Sequence, residues 1–87
     1  MVMLGSMRAD QRVATFLLNL SGRLTAQGFS ASDFLLRMSR DEIGSLLGIK
    51  LETVSRIFSK FDKANLMRIA GRHVRILSIE GLRAMLD

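Results

Sequence analysis

Residues 38 to 61, MSRDEIGSLLGIKLETVSRIFSKF, hold two short helical patterns joined by a glycine-containing turn, and this spacing constrains the fold more than any other stretch of the chain. Ser39 stands three residues before Glu42. Its hydroxyl can accept from an early backbone N–H while the Glu42 carboxylate reaches back, so Ser39 is expected to cap the first helix. Ile43, Leu46 and Leu47 fall on one helical face, and Gly48 follows where a left-handed backbone angle stops the helix at little steric cost. After the turn Gly48, Ile49, Lys50, the residues Val54, Ile57, Phe58 and Phe61 recur at helical spacing and leave Glu52, Ser55, Arg56 and Ser59 on the wetter side. Two helices joined in this way form a helix-turn-helix, whose second helix meets base edges with its N-terminal residues. The same pattern also describes an ordinary amphipathic hairpin with a solvated charged face, so the rest of the chain has to decide between the two.

Upstream, Val13, Phe16, Leu17, Leu20 and Leu24 make one apolar stripe within a helix expected from about Ser6 to Gln27, with Arg8, Arg12, Asn19 and Arg23 on its solvated face. Gly28 ends that helix and leads into a loop of Phe29, Ser30, Ala31 and Ser32. The apolar run Phe34 to Met38 reads as a strand. Downstream, Leu66 to Ala70 and His73 to Leu77 flank Gly71-Arg72, whose leading glycine suits a type II′ hairpin turn. Ser78 is placed to cap a last helix, Ile79 to Leu86. A hairpin after a helix-turn-helix is a wing, so the expected class is α+β: a winged helix-turn-helix, mainly helical with a small antiparallel sheet. A wing with Arg72 and His73 at its tip would reach phosphates flanking a groove. His73 by itself is a surface residue in this reading, because no second histidine or clustered carboxylate stands beside it to make a metal site.

With 87 residues the chain is large enough for one modest core, and 48% hydrophobic against 24% charged residues describes a folded globule. Thirteen Lys and Arg against eight Asp and Glu give a net charge of +5, which favours a polyanionic partner. Cysteine is absent, so the chain supplies neither a disulfide nor a thiolate-ligated metal centre. No apolar stretch approaches the roughly 18 residues that cross a bilayer, and the start lacks the order of a signal peptide; the expectation is a cytoplasmic protein with no membrane partner. An enzyme is not expected, since there is one histidine, no phosphate-cradling glycine loop and no nucleophile with an oriented base. Of the six methionines, Met38, Met67 and Met85 fit core positions.

GIKLETVSRIFSKF at Gly48 to Phe61, together with RVATFLLNLSGRL at Arg12 to Leu24, resembles the C-terminal DNA-binding domain of the Crp/Fnr regulators, over nearly the whole chain from about Met3 to Leu77. The likeness is to the FNR branch, the fumarate and nitrate reduction regulators, whose E-x-x-S-R reading motif is matched by Glu52, Ser55 and Arg56; in the cyclic-AMP receptor branch a glycine stands where Ser55 is. The resemblance implies a transcription activator that binds double-stranded DNA as a homodimer at TTGATNNNNATCAA. Arg56 would donate two bonds to guanine O6 and N7, Glu52 would accept from the cytosine amino group, and Ser55 would contact the neighbouring thymine. Lys50 and Thr53, with Arg72, His73 and Arg75 of the wing, would hold phosphates. Lys50 departs from the family's capping threonine, since lysine cannot accept a backbone N–H and its charge opposes the helix dipole.

The family also carries a sensor β-barrel and a dimerisation helix before this domain. Residues 1–5 are expected to be the remnant of that helix or a linker and residues 6–87 the DNA-binding domain, with no cofactor in this chain and the sensor ligand or iron–sulfur cluster of a longer parent unknown. The loop after the first helix, here Phe29 and Ser30, would contact the RNA polymerase α subunit; the plainer reading is that Phe29 packs under the loop. The rival from another class is a winged-helix protein-interaction module that binds an acidic partner.

Overall fold

The computed structural model describes residues 7–28 and 32–86. Its elements are α1 (Ala9–Ala26), β1 (Asp33–Leu35), α2 (Arg40–Leu47), α3 (Leu51–Lys63), β2 (Met67–Ala70), β3 (His73–Ile76) and α4 (Ile79–Ala84). The stub at 1–5 and the loop residues Phe29 and Ser30 lie outside the described residues.

α2 begins as its sequence requires: the Glu42 N–H donates to Ser39 Oγ at 3.1 Å and the Ser39 N–H to Glu42 Oε1 at 2.9 Å. It ends at Gly48 with φ 72°, the left-handed angle that glycine adopts without a Cβ clash. The turn that follows is tight. The Ile49 N–H returns to the Gly44 carbonyl at 2.9 Å, and a Cβ on Gly44 would stand 2.5 Å from the Ile49 carbonyl oxygen, so only glycine lets the turn close against the helix. This approach sets the roll of α2. Ile43, Gly44 and Leu47 face inward, whereas Leu46, expected beside Ile43, is 60% exposed.

α3 ends in a paired backbone motif: the Leu66 N–H bonds the Phe61 carbonyl and the Asn65 N–H the Asp62 carbonyl. Asn65 takes the left-handed angle there, φ 61°. The chain is thereby aimed into β2, and Asp62 Oδ2 accepts the Ile69 N–H at 3.1 Å.

The three strands form one antiparallel sheet in the order β1-β3-β2. Gly71 has φ 61° and Arg72 is not among the residues with positive φ, which fits the expected type II′ turn. β1 starts one residue before the expected run, with Asp33 facing Arg75, and ends at Leu35 opposite His73, where β3 begins after the wing turn. Leu36 leaves the ladder but stays buried, its N–H on the Arg72 carbonyl at 2.7 Å.

The core joins Val13, Ala14 and Leu17 of α1, Ile43 of α2, Val54, Phe58 and Phe61 of α3, Met67 and Val74 of the wing, and Leu82 of α4. Met38 and Met85 pack at its edge. The α1 stripe is centred one step from the expected line: Phe16, Leu20 and Leu24 are only partly buried and, with exposed Leu35 and Leu46, line a groove between α1 and α2. Arg12, expected on the solvated face, reaches across instead, and its Nη1 donates to the Leu47 carbonyl at 3.1 Å, satisfying the C-terminal end of α2. α4 is capped by Ser78, whose Oγ accepts the Gly81 N–H at 2.9 Å; it is shorter than expected.

Candidate nucleic-acid interface

α3 has two faces set by its period. Val54, Ile57, Phe58 and Phe61 are buried against the rest of the domain, which obliges Glu52, Arg56 and Ser59 to stand in solvent and Ser55 to sit at the margin. Since Ser55 and Arg56 stand three and four residues after Glu52, they share with it the outward side of the first two turns. The Glu52 and Lys50 side chains make no hydrogen bond or ion pair among the described residues, and the nearest partner of the Arg56 guanidinium is Thr53 Oγ1 at 3.5 Å. A carboxylate and a guanidinium thus project side by side from the start of a rigid helix without neutralising each other. That pairing matches the donor and acceptor pattern of a G·C pair in the major groove.

Each flank of this helix is built differently. On one side Thr53 and Arg56 border a shallow cleft shared with Arg8, Asp10 and Lys60. Lys60 Nζ pairs with Asp10 Oδ2 at 3.3 Å and so joins α3 to α1. Partial burial pushes the pKa of Asp10 up, yet the Lys60 hydrogen bond and the Arg8 and Lys60 charges outweigh it and hold the carboxyl below the ordinary range.

On the other side lies the wing. Arg40, at the first position of α2, donates from Nη1 to Ser55 Oγ at 3.4 Å and from Nη2 to the Gly71 carbonyl at 3.2 Å, while its Cζ lies 5.4 Å from the centre of the Phe58 ring. Arg72 at the wing tip donates to the Arg37 carbonyl at 3.5 Å. Hydrogen bonds from the Ser39 backbone and side chain, helped by the Arg72 charge, keep the Glu42 carboxyl below its usual range.

The expected site residues therefore do not form a single cluster. Glu52, Ser55 and Arg56 are gathered on α3, with Lys50 and Thr53 at its start. His73 and Arg75 sit on the outer face of β3, opposite buried Val74 and Ile76. Both are engaged by Asp33: His73 Nε2 meets one carboxylate oxygen and Arg75 Nη2 lies 3.4 Å from the other.

Arg40 and Asp33 were not singled out by sequence. Arg40 left a trace, since a cation in the first turn of a helix opposes the dipole and calls for a tertiary partner. Asp33 left none, because its partners are forty residues away and depend on strand register.

The comparisons with known proteins agree with this geometry. Residues 11–85 match the family model for the Crp-like helix-turn-helix domain. The chain is 54% identical over 82 residues to the transcriptional regulatory protein btr of Bordetella pertussis, covering 94% of this chain and 34% of that protein. It is 52% identical over 85 residues to the transcriptional activator protein FnrA of Stutzerimonas stutzeri, covering 98% and 35%. It spans about a third of the length of these curated relatives. Among solved structures, FixK2 from Bradyrhizobium japonicum superimposes with a TM-score of 0.84 at 37% identity, covering 94% of this chain and 40% of that one. On this evidence the chain belongs to the Crp/Fnr family of helix-turn-helix domains and is closely related to the regulators of its FNR branch.

Proposed function

We propose that this domain binds double-stranded DNA sequence-specifically and regulates transcription, reading a TTGAT-like half-site as one half of a homodimer in a longer cytoplasmic regulator. The observation that carries this reading is the outward face of α3, where Glu52, Ser55 and Arg56 reproduce the branch's reading pattern on a helix fixed from below by Val54, Phe58 and Phe61. In this mechanism α3 enters the major groove with its N-terminal end. Arg56 donates to guanine O6 and N7, Glu52 accepts from the paired cytosine amino group, and Ser55 meets the adjacent thymine.

Lys50, Thr53 and Arg72 hold phosphates, and the net charge of +5 supplies the sequence-independent part of the affinity. His73 and Arg75 join them by exchanging Asp33 for phosphate. Phe29 and Ser30 form a contact for the RNA polymerase α subunit when the protein activates. The names of btr and FnrA as transcriptional regulators support the same role.

The test is fluorescence anisotropy at low salt with a TTGATNNNNATCAA duplex, the same duplex with both half-site G·C pairs replaced, and an Arg56→Ala variant on each. The expected result is a loss of about 1–3 kcal/mol of binding energy per replaced pair for the unmodified chain. For Arg56→Ala the two duplexes should bind alike. Equal binding of both by the unmodified chain would sink the reading and leave a basic module for an acidic protein partner.

A further inference from the structure

Arg40 makes three contacts, two on α3 and one on the wing turn, from a position that ordinary helix physics disfavours. Its guanidinium stacks over Phe58, which is fully buried, so its position is referenced to the core. One nitrogen then donates to Ser55 Oγ on α3 and another to the Gly71 carbonyl at the turn of the wing. A planar fork can serve two acceptors in fixed directions, which the point charge of lysine cannot.

The consequence lies in the Ser55 hydroxyl. A helical serine often gives its O–H to the carbonyl one turn back, yet Ser55 makes no such bond among the described residues. With Arg40 donating to its oxygen, the hydroxyl hydrogen is the part left to offer outward, and the adjacent cation makes that O–H a better donor and a poorer acceptor.

We propose that Arg40 is a positioning residue for base recognition: it orients the Ser55 hydroxyl as a donor toward the groove and ties the wing turn to the reading helix. The role rests on the DNA-reading function proposed above and sharpens it. Ser55 then selects a base edge that offers an acceptor, such as thymine O4, over one that offers an amino group. The wing is also held at a set distance from α3, because Gly71 and Ser55 share one guanidinium.

The experiment compares the unmodified chain, Arg40→Lys, Arg40→Gln, Ser55→Ala and the two double variants, with circular dichroism as a check on folding. Each is titrated against duplexes carrying all four base pairs beside the half-site guanine, plus a guanine-replaced duplex, at several salt concentrations. The expected result is that Arg40→Lys loses the roughly three- to tenfold preference for the thymine-containing pair. It should keep the guanine preference read by Arg56 and keep the salt slope. Ser55→Ala should lose the same preference, with little further loss when the two are combined.

Retention of the thymine preference in both Arg40→Lys and Arg40→Gln would overturn the proposal. So would additive losses in the double variants. A uniform loss on every duplex in Arg40→Gln, with a salt slope smaller by about one, would replace it with a plain phosphate contact. Absence of guanine preference in the unmodified chain would instead reject the DNA-reading function, so the two failures are distinguishable.

Discussion

The two helices of the motif begin in opposite ways. α2 starts with a complete local solution: Ser39 and Glu42 satisfy each other's backbone N–H groups, and Asp41 and Glu42 place negative charge at the positive end of the dipole. α3 starts at Lys50, in extended backbone with no side-chain cap, so its first N–H groups receive nothing from that side chain. What holds α3 is burial, with Val54, Phe58 and Phe61 each inaccessible to solvent. α2 is thus anchored at its start, and α3 is anchored along its underside while its N-terminal end keeps a cation facing outward. The difference teaches where stability can be surrendered. A cap removed from α3 is offset by packing, and the exposed Lys50 is then available for phosphate.

The largest break in that comparison comes from the core. Phe61→Ala should cost about 3–5 kcal/mol, a large share of a domain's usual stability, and urea unfolding should show the midpoint collapse. A loss near that of Ser39→Ala would mean that packing is not what holds α3.

The caps come next and should move in opposite directions. Ser39→Ala should destabilise by about 1 kcal/mol, whereas Lys50→Ser should stabilise by about 1 kcal/mol, both read from thermal or urea melts. If Lys50 serves phosphate, Lys50→Ser should at the same time weaken DNA binding and reduce the salt slope by about one. A variant both more stable and equally tight on DNA would remove that role.

The smallest effect is the acid response of the α2 box. The Glu42 carboxyl is held low chiefly by the Ser39 N–H, with the Ser39 hydroxyl bond and the Arg72 charge adding to it. A depressed carboxylate lets the unfolded chain bind more protons. Its contribution is therefore present above the ordinary glutamate range and is lost as the pH falls through the folded-state value. Glu42→Gln keeps an acceptor for the Ser39 N–H but cannot titrate. The stability difference between the two chains, followed by urea midpoints from neutral to acid pH, should change only in that acid window; a change at neutral pH would assign the effect elsewhere.

Local chemistry made much of the fold legible. The Ser39 box, the Gly48 stop, the glycine-led wing turn and the Ser78 cap are each settled within four residues, and each stands as the chain predicts. The amphipathic period of α3 likewise assigned its buried and outward faces, and with them the grouping of Glu52, Ser55 and Arg56. Errors arose where a close backbone approach or strand pairing decides. The roll that exposes Leu46 follows from the Gly44 approach to Ile49, and the length of β1 follows from where β3 turns.

By itself, then, the sequence determined the order and type of the elements, the caps that start and stop them, and which residues of α3 face away from the core, because hydrophobic period and backbone capping act over one or two turns. Only the tertiary structure decided that Arg12 closes the end of α2, that Asp33 engages both His73 and Arg75, and that Arg40 joins Ser55 to the wing. Long polar side chains choose partners across the fold, and those partners exist only once packing and strand register have brought separate segments within hydrogen-bond reach.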